Sequence, residues 1–285
     1  MEVISIHSNK GGSGKTTLAI CLAALFAEEG KQVCIVETDL SGAGLYGNLK
    51  LEGNSKNFNQ YILKDKISIE SLLRQYTDGK INFWAIICSP EPREKDDALR
   101  EIERKGRSRE MINKFINIVE RLQELKKPTS FDYCIFDCSP SVDGTSLLSL
   151  GVTLYWNGIP VFISTSDRPH IGGTILELIA FFGKAILDPD RTLIVTNFVP
   201  EERKNLYESN EKLKETIRED GILRVTNERF TKAIQIPWYD FILENPEIRH
   251  QFLLKSPGKI SLKSVENTNI PRIAKQIQNK LSKER

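Results

Sequence analysis

A glycine-rich motif near the start of the chain is its most informative feature: Lys10-Gly11-Gly12-Ser13-Gly14-Lys15-Thr16-Thr17. An apolar run of strand length, Val3–His7, precedes this motif, and a segment with a helical apolar pattern, Thr16–Glu29, follows it. A motif of this kind needs a strand before it and a helix after it, and this chain supplies both. We therefore expect the motif to connect the first strand and the first helix of an α/β fold.

The composition of this loop predicts that it binds phosphate. Glycines let backbone N–H groups curl around phosphate oxygens, and the helix that follows presents its positive N-terminal end. In such a loop Lys15 reaches the β- and γ-phosphates of a nucleotide, and the hydroxyl group of Thr16 ligates Mg²⁺. Because all eight residues stand in this order and place, residues 10–17 are predicted to cradle the phosphates.

Apolar runs of strand length alternate with segments of helix length along the chain. The predicted strands are Val3–His7, Gln32–Val36, Asn82–Cys88, Tyr133–Phe136, Pro160–Ser164 and Thr192–Thr196. Their near-continuous apolarity is typical of parallel strands that are covered on both faces. The predicted helices between them are Thr16–Glu29, Ser68–Tyr76, Arg109–Leu125, Ile171–Leu187 and Lys204–Arg218. This alternation predicts a doubly wound α/β fold, with a mostly parallel sheet flanked by helices.

The length of the chain leaves its domain count open at first. At roughly 150 residues per domain, 285 residues suggest about two domains. No repeat, low-complexity tract or linker divides the sequence, so we expect one domain over residues 1–285. It would include a charged helical segment at about 89–127 and a C-terminal helix at about 270–285. Ile273, Ile277 and Leu281 share one face of that last helix, and docking on the body is favoured over binding to a membrane surface.

The charge balance, the cysteines and the N-terminus narrow the partners and the cellular setting that we expect for this protein. The 40 Lys and Arg residues nearly balance the 38 Asp and Glu residues, so the net charge of +2 identifies no nucleic-acid or membrane partner, although a local basic patch is not excluded. The five cysteines form no C-x-x-C pair, which favours reduced thiols in a cytoplasmic protein over a disulfide or metal role. The N-terminus lacks the basic region of a signal peptide.

The loop departs from the usual G-x-x-x-x-G-K-[ST] pattern, because Asn9 replaces the first glycine and Lys10 adds a second lysine. The pattern K-G-G-x-G-K-[ST]-[ST] resembles the deviant Walker A loop of the ParA/MinD-like P-loop ATPases of the SIMIBI class, nearer to the ParA/Soj partition ATPases. In that family the first lysine points into the nucleotide of a facing subunit. The resemblance therefore implies an ATP-dependent sandwich dimer in which Lys10 stabilises charge on the transferring phosphoryl group, like an arginine finger.

The same resemblance extends to two acidic strand ends. Val36-Glu37-Thr38-Asp39 resembles the D-x-D motif of the family, which implies that Asp39 orients the attacking water in the switch I region. Glu37 stands where the family commonly has aspartate. The apolar strand that ends at Asp137 resembles a Walker B strand, so Asp137 would hold Mg²⁺ through water. Switch II would begin at Cys138-Ser139-Pro140, which keeps one of the two prolines usual in the family.

Two later positions resemble the base-binding part of the family. Asn197 ends its predicted strand where MinD-like proteins use asparagine on adenine, and the sequence there lacks the Asn-Lys-x-Asp motif of a GTPase. Ile236-Pro237-Trp238 resembles the loop that covers the base, which makes Pro237 a predicted nucleotide contact. The alternatives, a turn residue at Asn197 and a packing aromatic at Trp238, stay open.

Three functions are compatible with the sequence. The first is a ParA-like partition ATPase that hydrolyses ATP slowly, responds to an activating partner protein and binds DNA without sequence preference. The second is a MinD-like positioning ATPase whose C-terminal helix visits the membrane, and the third is a nucleotide-gated scaffold for a protein partner. Two regions are candidates for contact with DNA phosphates: the basic segment Arg104, Lys105, Arg107 and Arg109, and the C-terminal residues Lys259, Lys263, Arg272, Lys275 and Lys280.

Overall fold

The computed structural model describes most of the N-terminal half of the chain and selected parts of the remainder. The described residues are 1–105, 108–125, 130–140, 144–165, 173–174, 187–188, 191–197, 238–241, 254–256, 259–266 and 268–282. The predicted helices Ile171–Leu187 and Lys204–Arg218 lie wholly or mostly outside these residues.

One mostly parallel sheet organises the described residues. Its strands are β1 (Glu2–Ser8), β2 (Val33–Glu37), β3 (Glu52–Gly53), β4 (Arg74–Asp78), β5 (Ile81–Ile86), β6 (Tyr133–Pro140), β7 (Ile159–Thr165), β8 (Leu193–Asn197) and β9 (Trp238–Phe241). Their order across the sheet is β3-β4-β5-β2-β6-β1-β7-β8-β9. Neighbours from β5 through β9 are parallel, and only β3–β4 and β4–β5 pair antiparallel. A short hairpin, β10 (Leu254–Ser256) and β11 (Lys259–Ile260), lies outside this sheet.

Helices cover the sheet on both faces. They are α1 (Lys15–Glu28), α2 (Gly44–Asn48), α3 (Phe58–Leu63), α4 (Pro92–Lys105), α5 (Arg109–Glu124), α6 (Gly144–Tyr155), α7 (Leu262–Glu266) and α8 (Ile270–Ser282). Successive residues of one strand enter different cores: Ile4 packs in the core with α1 and α8, and Val3 packs in the core with α5 and α6. Since side chains alternate across a strand, this division confirms the predicted doubly wound fold.

The prediction of a helix over Ser68–Tyr76 was wrong. A single 3-10 turn covers Ile69–Leu72, and the chain then enters strand β4, which pairs antiparallel with β5. A two-residue turn joins these strands, and its first residue, Gly79, has a φ of 61°, which glycine adopts without strain. The apolar residues of this segment fit a helical spacing, but their real partners lie on the neighbouring strand and the core beneath it.

The C-terminal helix α8 docks on the body of the protein. Its apolar residues, Ile270, Ile273, Ala274, Ile277 and Leu281, are all buried and join the core around α1. Among the described helices, none combines the length and apolar character that a membrane-spanning segment needs.

Candidate functional site

The glycine-rich loop connects β1 to α1, as the sequence predicts. Gly12 and Gly14 have φ values of 77° and 102°, in the left-handed region that glycine favours. A Cβ atom on Gly11 or Gly12 would meet no heavy atom within 4 Å, so the backbone there borders open space. The first turn of α1 contains no acidic residue, so no side chain of that turn offsets the positive end of its dipole. This geometry suits an anion.

Lys15 lies along the loop rather than in solvent. Its side chain is buried, and its ammonium group donates a hydrogen bond of 2.9 Å to the hydroxyl oxygen of Ser8. Ser8 in turn donates to the carbonyl oxygen of Lys10 at 2.8 Å. The contact of Ser8 with Lys15 was not predicted from the sequence, although the position of Ser8 at the end of β1, before the loop, was a usable signal. Lys15 is thus held at the loop by a hydroxyl group.

Asp137 lies beside this loop because β6 is the neighbour of β1 in the sheet. Its carboxylate is buried, and neither oxygen accepts a hydrogen bond of ordinary geometry from the described part of the chain. Burial raises the pKa of Asp137 to about 7, while the nearby Thr16 hydroxyl and Lys15 ammonium act in the opposite direction. A buried carboxylate without donors needs a cationic partner.

The donors around Asp137 fit Mg²⁺ that is shared with a phosphate ligand. Asp137 and Thr16 supply a carboxylate and a hydroxyl oxygen, the hard ligands that Mg²⁺ prefers. Within the described residues, no cluster of three or more His, Cys, Asp or Glu side chains could hold a metal. Since Mg²⁺ commonly binds through one or two carboxylates together with substrate phosphates and water, this sparse set agrees with such a site.

The carboxylate of Asp39 accepts hydrogen bonds from residues of its own loop. Its Oδ1 atom accepts hydrogen bonds from the Ser41 backbone at 3.2 Å, the Ser41 hydroxyl at 2.7 Å and the Gly42 backbone at 3.0 Å. The side chain of Lys10 is exposed, and its ammonium group has no hydrogen bond within the described residues. The charge of Asp39 raises the pKa of Asp137, so Asp39 lies within electrostatic range of the cluster of Lys15, Thr16 and Asp137.

Asn197 contacts the loop from β8, which lies two strands from β1 in the sheet. It ends β8, is fully buried and donates its side-chain amide to the carbonyl oxygen of Ser13 at 2.7 Å. The residue thus contacts the phosphate loop itself, and its predicted contact with adenine stays a prediction. Pro237 lies outside the described residues, and only the backbone of Trp238 is described, as the first residue of β9.

His7, on the strand before the loop, lies beside Cys138 near the end of β6. Its ring stacks on Phe162 with centroids 5.3 Å apart, and its Nδ1 atom is 2.9 Å from the Ser146 hydroxyl oxygen. Its Nε2 atom lies 3.9 Å from the Cys138 sulfur. Burial, assisted by the positive charge of Lys15, lowers the pKa of His7 to about 3. The imidazole is therefore neutral and packs as part of the core.

The two predicted basic regions differ in their charge pairing. Arg104 forms an ion pair with Glu101 at 2.8 Å, and Lys105 pairs with Glu101 at 3.0 Å and Glu110 at 3.1 Å. Arg109 is exposed, and Arg107 lies outside the described residues.

The C-terminal region carries its cations on the outer side of α7 and α8. Lys263, Arg272 and Lys275 are exposed there, and Lys280 is half-buried. The side chain of Lys259 is outside the described residues. This exposed set is the better candidate for an anionic partner.

Comparisons with known proteins agree with this architecture. Residues 1–155 match a family model described as an AAA domain, AAA_31, which covers more than half of the chain. An uncharacterized ATP-binding protein of Methanocaldococcus jannaschii is 30% identical, over 66% of this chain and 62% of that protein. The chromosome partitioning protein ParA of Myxococcus xanthus is 29% identical over 52% of this chain and 48% of its own length.

The septum site-determining protein MinD of Bacillus subtilis is 32% identical over 50% of this chain and 46% of its own length. The chain therefore matches less than two thirds of the length of each of these relatives.

Solved structures support the fold across almost the whole chain. The cell division ATPase MinD of Pyrococcus furiosus superposes with a TM-score of 0.64 at 18% identity, covering 98% of both chains. A Borrelia burgdorferi protein assigned to plasmid partition, solved with AMPPNP bound, gives a TM-score of 0.62 at 18% identity, covering 100% of this chain and 99% of that one. With its glycine-rich loop, its doubly wound sheet and these relatives, the chain belongs to the ParA/MinD-like family of P-loop ATPases.

Proposed function

We propose that this protein is a molecular switch that binds ATP with Mg²⁺ and hydrolyses it slowly. The observation that carries the proposal is the buried carboxylate of Asp137, which lies near the Thr16 hydroxyl and the buried Lys15 ammonium at the start of α1. ATP is favoured because the M. jannaschii relative is named an ATP-binding protein and the B. burgdorferi structure contains AMPPNP. The lack of an Asn-Lys-x-Asp motif at β8 agrees with adenine rather than guanine.

Different residues of the loop and its neighbours contact different parts of the nucleotide. Backbone N–H groups of residues 10–17 surround the phosphates, and Lys15 exchanges its bond to Ser8 for a bond to the β- and γ-phosphates. Thr16 and Asp137 hold the metal, Asp137 through water. Bound Mg²⁺ supplies positive charge that offsets the negative charge of the phosphates. Asn197 fixes the loop at Ser13, and the family resemblance assigns Pro237 to contact with the base.

Hydrolysis requires residues that the cluster around Lys15 does not contain. We assign the orientation of the attacking water to Asp39, which must turn away from its hydrogen bonds to Ser41 and Gly42. Lys10, exposed on the loop, is available to a second copy of the chain in an ATP-dependent sandwich dimer. There its charge would stabilise the transferring phosphoryl group of the facing nucleotide. An activating partner protein would raise a slow intrinsic rate.

The nucleotide proposal is tested by calorimetric titration of ATP with Mg²⁺ into wild-type protein and the Lys15→Ala variant. A charged hydrogen bond to phosphate contributes about 1.5–3 kcal/mol, so the variant should bind roughly 10- to 100-fold more weakly. Lys31→Ala, which removes an exposed lysine outside the site, is the matched control and should bind like wild type. Unchanged ATP affinity in Lys15→Ala would overturn the proposal.

We further propose that the ATP-bound dimer takes part in DNA partitioning and contacts DNA without sequence preference. The exposed Lys263 and Lys275 on α7 and α8 support this role, and Arg104 and Lys105 are less favoured because each forms an ion pair with Glu101. Binding through phosphates should fall steeply as salt rises. Membrane binding through α8 is less favoured because its apolar face is buried in the core.

Gel-shift titrations with ATP, with ADP and without nucleotide test the DNA proposal. Retention should require ATP, weaken with salt and fall further in a Lys275→Glu variant, while Lys64→Glu, an exposed lysine on another face, should bind as wild type does. Binding to anionic liposomes that is lost on deletion of residues 270–285 would favour the MinD-like alternative. If neither DNA nor liposomes are bound, the scaffold alternative is favoured.

The chemistry of the cysteines supports a cytoplasmic setting for this switch. All five cysteines are free and buried. A reducing compartment keeps thiols in this state.

A further inference from the structure

Glu37 is a fully buried carboxylate at the end of β2, which is separated from the loop strand β1 by strand β6. It stands directly opposite Asp137 in the parallel pairing of β2 with β6. Unlike Asp137, it has donors for both oxygens: Oε1 accepts from the backbone N–H of Leu45 at 2.8 Å, and Oε2 accepts from the backbone N–H of Cys88 at 2.7 Å. Each oxygen of this side chain therefore holds a different segment of the chain.

The two segments are the start of α2 and the end of β5. Leu45 lies in the first turn of α2, immediately after the loop that contains Asp39. Cys88 follows β5, and its thiol also donates to the carbonyl oxygen of Glu37 at 3.3 Å. One carboxylate thus fastens the end of the switch I loop to the strand on the other side of β2.

The fastened segment lies against Thr16. A Cβ atom added to Gly44 would lie 3.2 Å from the Oγ1 atom of Thr16 and 3.6 Å from Oε1 of Glu37. The backbone of α2 therefore approaches the Thr16 hydroxyl closely, and the bond from Leu45 to Glu37 fixes that approach. Without this bond, the first turn of α2 would no longer be held against the Thr16 hydroxyl group.

The length of the side chain matters for this bridge. Glu37 occupies a position where the family commonly has aspartate, and its extra methylene extends the carboxylate by about 1.5 Å. A shorter acid on the same backbone would draw both oxygens back from the N–H groups of Leu45 and Cys88, so it could not keep both bonds at their present length.

We propose that Glu37 is a positioning residue, which holds α2 against Thr16 and thereby sets the geometry of Mg²⁺-dependent nucleotide binding and turnover. This inference rests on the proposed function of the same site. Both oxygens of Glu37 are engaged by backbone N–H groups of Leu45 and Cys88. Glu37 acts through the backbone of Gly44 and Leu45 on the hydroxyl group of Thr16.

The test is Glu37→Gln, which keeps the shape of the side chain but points an amide N–H₂ group at one of the two backbone donors. ADP affinity is measured with Mg²⁺ and with EDTA, and turnover is measured at saturating ATP. We expect Mg²⁺-dependent affinity and turnover to fall at least about tenfold, the factor equivalent to 1.4 kcal/mol. Affinity in EDTA should stay within about twofold of wild type, because the phosphate loop does not contact Glu37.

Glu94→Gln is the matched control, because Glu94 also accepts hydrogen bonds, from Asn57 at 2.8 Å and from Gln60 at 2.7 Å, but lies on α4 away from the loop. It should leave both affinities unchanged. If Glu37→Gln does not fold, Glu37→Asp retains a carboxylate and should show the same selective loss at smaller size.

Three results would count against the inference. Wild-type behaviour of the folded Glu37 variants would overturn it, and so would equal losses with Mg²⁺ and with EDTA, which indicate general disruption. If wild-type protein binds no nucleotide at all, the proposed function fails first and this inference fails with it.

Discussion

His7 is a buried imidazole whose protonation opposes folding. Its pKa is about 3 in the folded protein and 6.5 when exposed, because burial and the charge of Lys15 disfavour the imidazolium. Well above pH 6.5 the imidazole is neutral in both the folded and the unfolded chain, so its burial costs no protonation free energy. Between pH 6.5 and 3 only the unfolded chain takes up the proton, so stability is lost as pH falls through this window.

This sign gives a prediction for urea denaturation. The free energy of unfolding of wild-type protein should include a loss of about 1.4 kcal/mol per pH unit from His7 below pH 6. His7→Gln, which can still bond the hydroxyl of Ser146, should show an acid slope smaller by that amount between pH 6 and pH 5. Identical slopes for the two proteins would show that His7 is not the group that titrates.

Asp39 accepts hydrogen bonds within its own loop, and we also assign to it the orientation of the attacking water. Mutation can separate these two roles. Asp39→Ala should abolish the hydrolysis of ATP and leave the ATP-bound dimer in place, because the attacking water loses its orienting carboxylate. Ser41→Ala is the control: it removes the 2.7 Å bond within the turn and keeps the acid, so its turnover should stay close to wild type. Phosphate release is the measurement, and fast turnover in Asp39→Ala would remove this residue from the mechanism.

The phosphate loop could be predicted from sequence because its signal is contiguous: eight neighbouring residues carry both the conformation and the chemistry. The bond from Asn197 to Ser13 could not, since it depends on β8 lying two strands from β1. The bridge at Glu37 depends in the same way on β5 being the neighbour of β2. A sequence shows an acid at the end of a strand but not which backbone groups the sheet will bring to it.

At the scale of elements, the error at Ser68–Tyr76 has a clear physical cause. Ile69, Leu72 and Tyr76 are all buried, which satisfies a helical spacing, yet Tyr76 is buried as one residue of a strand whose neighbours face outward. Asp78-Gly79 is a recognised hairpin signal, and it spans the last residue of this strand and the first residue of the turn. The turn residues after this segment are therefore a better indicator of its strand structure than the spacing of its apolar residues.

The element with the simplest energetic test is α8. Ile277 is fully buried against the core around α1, the helix that begins at the phosphate loop. Ile277→Ala should lower the free energy of unfolding by about 2–5 kcal/mol, through lost burial and the cavity left behind. Lys275→Ala, on the exposed side of the same helix, should change it by less than about 0.5 kcal/mol. Equal effects in urea denaturation would mean that α8 does not dock as described.

At the scale of the whole molecule, one nine-stranded sheet organises most of the described residues. The charged segment at about 89–127 forms α4 and α5, and the C-terminal segment forms α8, which returns to the core. Whether residues 1–285 form a single domain stays a prediction. The net charge of +2 leaves room for a local basic surface, for which the exposed Lys263 and Lys275 are candidates.

The proposed switch requires that nucleotide changes the assembly of the whole molecule. Lys10 is exposed on the phosphate loop, while Lys15 is buried within it, so the two lysines are placed for different partners. On the proposed function, Lys15 would bind the nucleotide of its own chain and Lys10 would reach the nucleotide of a facing chain. Substituting Lys10 should therefore prevent dimerisation and hydrolysis while sparing the binding of nucleotide by the monomer.

The molar mass in solution, measured by size-exclusion chromatography with light scattering, tests this claim most directly. Wild-type protein with ATP and Mg²⁺ should have twice the 32.4 kDa of one chain, and it should return to 32.4 kDa with ADP or without nucleotide. Lys10→Ala should remain at 32.4 kDa in all three conditions while still binding ATP. A wild-type mass that is the same with ATP, with ADP and without nucleotide would contradict the account.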